Sequence, residues 1–241
     1  MVLRQYAKKV EPRKSSTATQ LRQVNNYSAM ENVYMQLKHS VMAGNFSPGQ
    51  PMRLENLASA FGTSHTPVRE ALNRLVVAGA LESEPRKSLR IPRMTVQHIE
   101  NLKSVRLVNE GQAASWAAER CTDSDIKQLK IYNLALDDEL KKQNFNISKY
   151  LDINRSFHFH LYSMANNDVL MGAIETLWLQ AGPLLNLLKE ESGLLSGHDH
   201  HKTVIAGLEQ NNGDMTRNAL QNDINEAYEV IVDIVKRQIN K

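Results

Sequence analysis

The sequence predicts a mostly α-helical chain, with an N-terminal winged helix-turn-helix followed by an all-α antiparallel helical bundle. Three observations lead there. Apolar residues recur at helical spacing from about Met30 to the C-terminus. Only 11 glycines and 7 prolines interrupt the 241 residues, too few for a turn-rich β fold. The one segment that reads as a β-hairpin follows directly on three short helices. The length suits one large domain or two modest ones with a sizeable core. Cys121 is the single cysteine, which excludes an intrachain disulfide and fits a reducing compartment. The N-terminus has no apolar stretch of the signal-peptide kind, and no run approaches the roughly 20 apolar residues of a membrane span. The expectation is a soluble, cytoplasmic protein with no membrane partner.

Charge divides the chain. Up to residue 95 there are 14 Lys+Arg against 6 Asp+Glu, a net of +8; the remainder carries 15 against 20, a net of −5. A basic first third on an acidic remainder points to a polyanion partner for the first third alone.

The elements follow in order. Residues 1–27 carry Arg4, Lys8, Lys9, Arg13, Lys14 and Arg22 with few apolar residues and read as a flexible basic arm. Residues 28–94 form the expected winged helix-turn-helix. Val33, Tyr34, Leu37 and Val41 share one helical face, and Gly44-Asn45 closes that helix. Leu54, Leu57, Ala58 and Phe61 fall at i, i+3, i+4, i+7 in a second, which Gly62 ends. The third, "SHTPVREALNRLVVAG", has Ser64 or Thr66 to cap it, Pro67 in a first turn that needs no N–H, and Gly79 at its stop. Val68, Ala71, Leu72 and Leu75 form its inner stripe. Arg69 and Asn73 lie one turn apart on the outer side, where a helix in the major groove meets base edges and phosphates. Arg74 falls one turn after Glu70, the spacing of an intrahelical ion pair. "ALESE" and "SLRIPRM" then read as two strands, whose turn places Arg86, Lys87 and Arg90 where a wing meets backbone phosphates.

This stretch resembles the DNA-binding domain of the GntR family of bacterial transcription regulators. The resemblance rests on the "G-x-x-x-PG" turn, the "LA-x-x-x-G" helix end, "TPVREAL-x-RL" and the "AGALE" run, in the family's order over about sixty residues. It implies that Ser64, His65, Thr66 and Arg69 contact DNA. His65 stands where the family usually has Arg, and Ser88 where the wing usually has Gly.

Residues 95–241 read as about six helices, with breaks near Arg120–Asp123, Gln143–Ser148, Asn166–Asp168, Ser192–Gly197 and Asn211–Asp214. Thr122, Ser148 and Asp214 are the N-cap candidates. Within "NRSFHFHLY", helical geometry points His158 and His160 about 200° apart, so they cannot share one ion. Asn154 and His158, at i and i+4, share a face; His160 is read as outward or structural. Two side chains do not hold a metal. "SGHDHHKTV" and Asp223 offer further donors, but as readily a solvated helix start. Arg106 and Glu110 are spaced as an i, i+4 ion pair, and "ETLWLQAGPLLNLL", with Trp178, reads as core or dimer surface.

The helical part resembles the FCD domain of the FadR-type branch of the same family. Its hallmark is an Asp or Asn four residues before the His of an "FH" pair, a second His opening a later helix, and a third on the last helix. The resemblance places a metal on Asn154, His158, His201 and Asp223, the last standing where the family has His. An amide oxygen, two imidazoles and a carboxylate suit Zn²⁺, Ni²⁺ or Mn²⁺. It also implies that Arg106 reaches into the cavity to pair with an organic acid effector.

The function expected is a DNA-binding regulator, a repressor, that binds a palindromic operator as a homodimer and responds to a small carboxylate near the metal. Two alternatives remain: an architectural DNA-binding dimer without effector, and a metal-dependent hydrolase, against which stands the lack of a second carboxylate to serve as base.

Overall fold

A computed structural model describes residues 26–83, 89–190 and 198–239. The basic arm expected over residues 1–27 falls outside them up to residue 25, as do Arg86, Lys87 and Ser88 of the wing. The helices are α1 (Asn26–Met42), α2 (Leu54–Phe61), α3 (His65–Val77), α4 (Val96–Arg120), α5 (Asp123–Leu140), α6 (Ile147–Ser163), α7 (Asp168–Leu185), α8 (His198–Glu209) and α9 (Gly213–Ile239), with a 3₁₀ helix at Asn186–Glu190 between α7 and α8.

In the N-terminal unit, Val33, Leu37 and Val41 of α1 pack on Val68, Ala71, Leu72 and Leu75 of α3, all buried. α2 ends as its sequence requires: Gly62 takes the left-handed conformation (φ 59°), which glycine adopts without a Cβ clash, and its N–H bonds back to the last turn. Arg74 reaches back to α1, donating to Glu31 Oε2 at 2.7 Å with its guanidinium over the Tyr34 ring.

The wing departs from the two strands expected. Among the described residues it reduces to isolated bridges. Glu82 and Arg90 exchange both backbone hydrogen bonds (2.9 and 3.1 Å), and the other edge of the returning chain pairs with residues 49–52. Pro51 and Pro92 lack the N–H that would extend the ladder.

The six C-terminal helices form the bundle. α4 runs antiparallel to α9: Ser115 lies by Gly213, Gln112 by Arg217, Leu107 by Gln221 and Arg106 by Tyr228. α8 folds back along α9, and α5 along α6. Thr122 caps α5 in a reciprocal capping box with Asp125. The other two caps expected shift: Asn146 caps α6 instead of Ser148, and Asn212 the start of α9 instead of Asp214. Asn accepts from the N–H three residues on in each case, so the helix starts earlier than the Ser or Asp.

The two units are joined through α7. Gly182 lies so close to α1 that a Cβ there would run into the Val41 carbonyl. Around it Lys38 pairs with Glu175 at 2.7 Å, Gln180 donates to the Ala78 carbonyl, and Asn186 donates to the Gly44 carbonyl at 2.7 Å. Among the described residues no helix is long and apolar enough to cross a membrane.

Candidate functional site

Three helices bring three ligand-type side chains to one point. His158 comes from the middle of α6, His201 from the first turn of α8 and Asp223 from α9; one donor atom of each lies within 4.8 Å of the other two. His158 and His201 are buried, and the Asp223 side chain nearly so. His158 Nε2 lies 3.3 Å from Asp223 Oδ2, and His201 Nε2 lies 3.7 Å from Asp223 Oδ1. Phe157 stacks on the His201 ring at 3.9 Å between centroids, fixing its plane. Burial pushes the Asp223 carboxyl up, but its hydrogen bond to His158 and the neighbouring histidine charges outweigh that and hold it below the usual carboxylate range.

Asn154 sits half-buried one turn before His158 on the same helix. His160 points elsewhere, as the helical geometry requires, toward Asp125 and the edge of the Tyr132 ring. His200 pairs with Glu226 at 3.0 Å, so of the adjacent His200 and His201 only His201 enters the buried site.

The outer nitrogen of His158 is committed. Tyr162, one turn on, gives its only proton to Glu110 Oε2. Its oxygen can then only accept from His158 Nδ1, 3.1 Å away, so Nδ1 carries the hydrogen. Nε2 is left facing Asp223 with either a second proton to donate or a lone pair for a cation. Two imidazoles and a carboxylate, with one imidazole oriented from behind by a hydrogen-bonded partner, is donor chemistry that fits a divalent transition metal.

Glu110 is the hub of this outer layer, where spacing along α4 pairs it with Arg106 alone. Arg106 grips it with Nε on Oε1 (2.6 Å) and Nη2 on Oε2 (3.1 Å), while Trp178 Nε1 donates to Oε2 at 3.1 Å. Arg106 Nη1 also reaches the Tyr228 hydroxyl at 3.4 Å, and its guanidinium faces the Trp178 and Tyr228 rings. Burial opposes the charge on Arg106, but Glu110 more than restores it and raises its pKa well above the ordinary value. Burial, then the Glu110 charge, drives the Tyr162 hydroxyl up, so it stays a donor. The fork that the resemblance assigns to an effector carboxylate is thus filled by Glu110. Tyr162 was visible at i+4 from His158; Trp178 and Tyr228 lie on distant helices with no spacing to mark them.

At the other end of the molecule, Ser64, His65, Thr66, Arg69 and Asn73 all lie exposed along the outer face of α3, opposite its buried stripe. Arg90 is drawn to Glu82 at 2.5 Å at the base of the wing.

Comparison with known proteins agrees with both ends. The family model for bacterial regulatory proteins of the gntR family matches residues 29–91, and the FCD domain model matches residues 102–226. The chain belongs to the GntR family of regulators, in the branch that carries an FCD domain. It is similar to the HTH-type transcriptional regulator McbR of Escherichia coli K12, 29% identical over 187 residues, covering 76% of this chain and 84% of that one. The solved structure of E. coli McbR/YncC superposes with a TM-score of 0.78 at 27% identity, covering 84% of this chain and 96% of the other. The probable D-xylose utilization operon transcriptional repressor of Paenarthrobacter nicotinovorans is 22% identical over 184 residues, 76% of this chain and 80% of that protein. A GntR regulator of Rhodococcus sp. RHA1, at 17% identity and a TM-score of 0.69 over 86% of this chain and 98% of that one, shares the fold. This GntR-family chain is therefore a DNA-binding transcriptional regulator and not a hydrolase.

Proposed function

We propose that this GntR-family regulator is a cytoplasmic repressor that binds a palindromic operator as a homodimer and responds to a small organic acid held beside a divalent metal. Residues 28–94 read the DNA and residues 95–241 sense the acid and dimerise. Ser64, His65, Thr66, Arg69 and Asn73 meet bases and phosphates from α3, with Arg86, Lys87 and Arg90 on the backbone from the wing.

The observation that carries the sensing half is the convergence of His158, His201 and Asp223, with His158 oriented through Tyr162 and Glu110. These three, with Asn154 as the fourth donor, would hold Zn²⁺, Ni²⁺ or Mn²⁺ and leave positions for an acid oxygen. Bound there, the ion supplies a positive centre that polarises and anchors a carboxylate. Arg106 meets that acid only where the acid takes the place of Glu110; otherwise Arg106 and Glu110 act as a unit that fixes Tyr162 and, through it, His158.

A route from the site to the DNA-binding unit runs along α7, which carries Trp178 against Glu110 and Gly182 against α1. An acid that binds two arrangements of α7 with different affinity shifts the balance between DNA-competent and incompetent dimers.

Titration calorimetry with Zn²⁺, then with acetate, malonate and benzoate, tests the sensing half. The full chain is expected to take one ion per protomer and then one acid; His158→Ala loses both. Wild-type protein that takes no ion would overturn it.

A further inference from the structure

A cleft of about 540 Å³ opens where the turn after α1, the link between the units, the end of α7 and the last turns of α9 meet. That volume is in the range of small-molecule sites. Its floor is apolar: Leu184 and Val235 are buried there, Leu187 is half-buried, and Ile239 stands at the rim, 68% exposed. Asp223 and Val235 are twelve residues apart on α9, about 18 Å, so the cleft is separate from the buried histidines.

The polar groups around this floor are few. Ser47 donates to Asn186 Oδ1 at 2.8 Å, and Asn186 Nδ2 donates to the Gly44 carbonyl, so both side chains are engaged in holding the turn to the 3₁₀ helix. Arg93 differs. Its side chain lies across Gly49, where a Cβ would come within 2.6 Å of Nε and where a φ of 80° already favours glycine. Among the described residues the Arg93 guanidinium has no hydrogen bond or ion pair, and no Asp or Glu lines the cleft. One unpaired planar cation beside an apolar floor is complementary to a single carboxylate on an apolar body. A dicarboxylate would leave its second charge against Leu184 and Val235, without a partner.

We propose that this cleft binds an apolar monocarboxylate, with the carboxylate on Arg93 and the hydrocarbon body on Leu184, Leu187, Val235 and Ile239. The site stands apart from the acid sensing proposed above and does not depend on a metal. Its ligand touches both units at once, since Ser47 belongs to the DNA-binding unit, Arg93 to the link, and α7 and α9 to the bundle. A molecule seated there favours one placement of the DNA-binding unit on the bundle over others.

Fluorescence titration of 2-naphthoate into the full chain, stripped of metal by dialysis against EDTA, tests this. Wild type is expected to take one naphthoate per chain. The amide 2-naphthamide, with the same body and no charge, is expected to bind about tenfold more weakly. Arg93→Gln is expected to weaken naphthoate about tenfold and to leave the amide unchanged. Ile239→Glu sets a carboxylate at the rim and is expected to weaken naphthoate by a similar factor. Both positions are exposed, so circular dichroism should be unchanged. Wild-type protein that takes up no naphthoate, an amide that binds as tightly as the acid, or an Arg93→Gln protein that binds naphthoate as wild type does overturns the site.

Discussion

Replacing Glu110 by Gln should be the most damaging isosteric change in the helical part of the molecule. Glu110 is fully buried and its two oxygens take four donors: Nε and Nη2 of Arg106, the Tyr162 hydroxyl and the Trp178 indole N–H. Gln keeps one acceptor and turns the other into an NH₂ group that faces donors. The Arg106 guanidinium, only 5% exposed, then has no counter-charge. Breaking one side of a buried pair costs about 3–5 kcal/mol, because the remaining charge stays out of water uncompensated. For a chain of this length that is a melting-point drop of about 6–20 °C. Removing the pair together should be milder but not neutral. Arg106→Met/Glu110→Leu leaves no uncompensated charge, yet the Tyr162 hydroxyl and the Trp178 indole N–H lose their acceptor, so the double variant is expected to fall between wild type and Glu110→Gln. Urea unfolding followed by far-ultraviolet circular dichroism on wild type, both single variants and the double variant measures the cycle. The reasoning fails if Glu110→Gln costs no more than a surface change, about 0.5 kcal/mol, or if the double variant is as unstable as the single one.

Other consequences can be checked on the same footing. Gly182→Ala forces a methyl group into the Val41 carbonyl, so the N-terminal unit should detach from α7; calorimetry should then show two transitions, and limited proteolysis should release the unit. Thr122→Ala removes the α5 capping box and should cost about 1 kcal/mol at neutral pH. Its hydrogen bonds from Thr122 hold the Asp125 carboxyl below the ordinary 3.8. A depressed carboxylate stabilises above its unfolded pKa and loses that contribution as pH falls through its folded one. The gap between wild type and Thr122→Ala in pH-dependent melting should therefore be full at pH 7 and narrow below about pH 4.

Much of the fold was legible because helices announce themselves locally. The α1, α2 and α3 stripes and the Gly62 stop are short-range patterns, and the structure buries or bends the chain where they say. Caps were less legible: Ser148 and Asp214 are good cap residues, but Asn146 and Asn212 come first and take the N–H groups. Only the base of the wing lies among the described residues, and there Pro51 and Pro92 limit the pairing to single bridges. For the site, spacing could pair Asn154 with His158 and dismiss His160, because both judgements concern one helix. His201 and Asp223 lie on other helices, and only a family pattern could join them to it. Glu110 shows the limit most clearly. At i+4 from Arg106 it reads as an intrahelical ion pair alone, whereas tertiary packing makes it the acceptor for groups from α4, α6 and α7.

DNA binding under control of the buried site is the central claim, and fluorescence anisotropy tests it most directly. The probe is a labelled duplex from upstream of the chain's own coding region, with Zn²⁺-loaded protein, in rising salt and then with acetate, malonate or benzoate added. Binding that falls steeply with salt, weakens about tenfold or more in Arg69→Ala, and is released by one of the acids in wild type but not in His158→Ala is the predicted result. Wild-type protein that ignores the duplex at low salt, or an acid response that persists undiminished in His158→Ala, would contradict it.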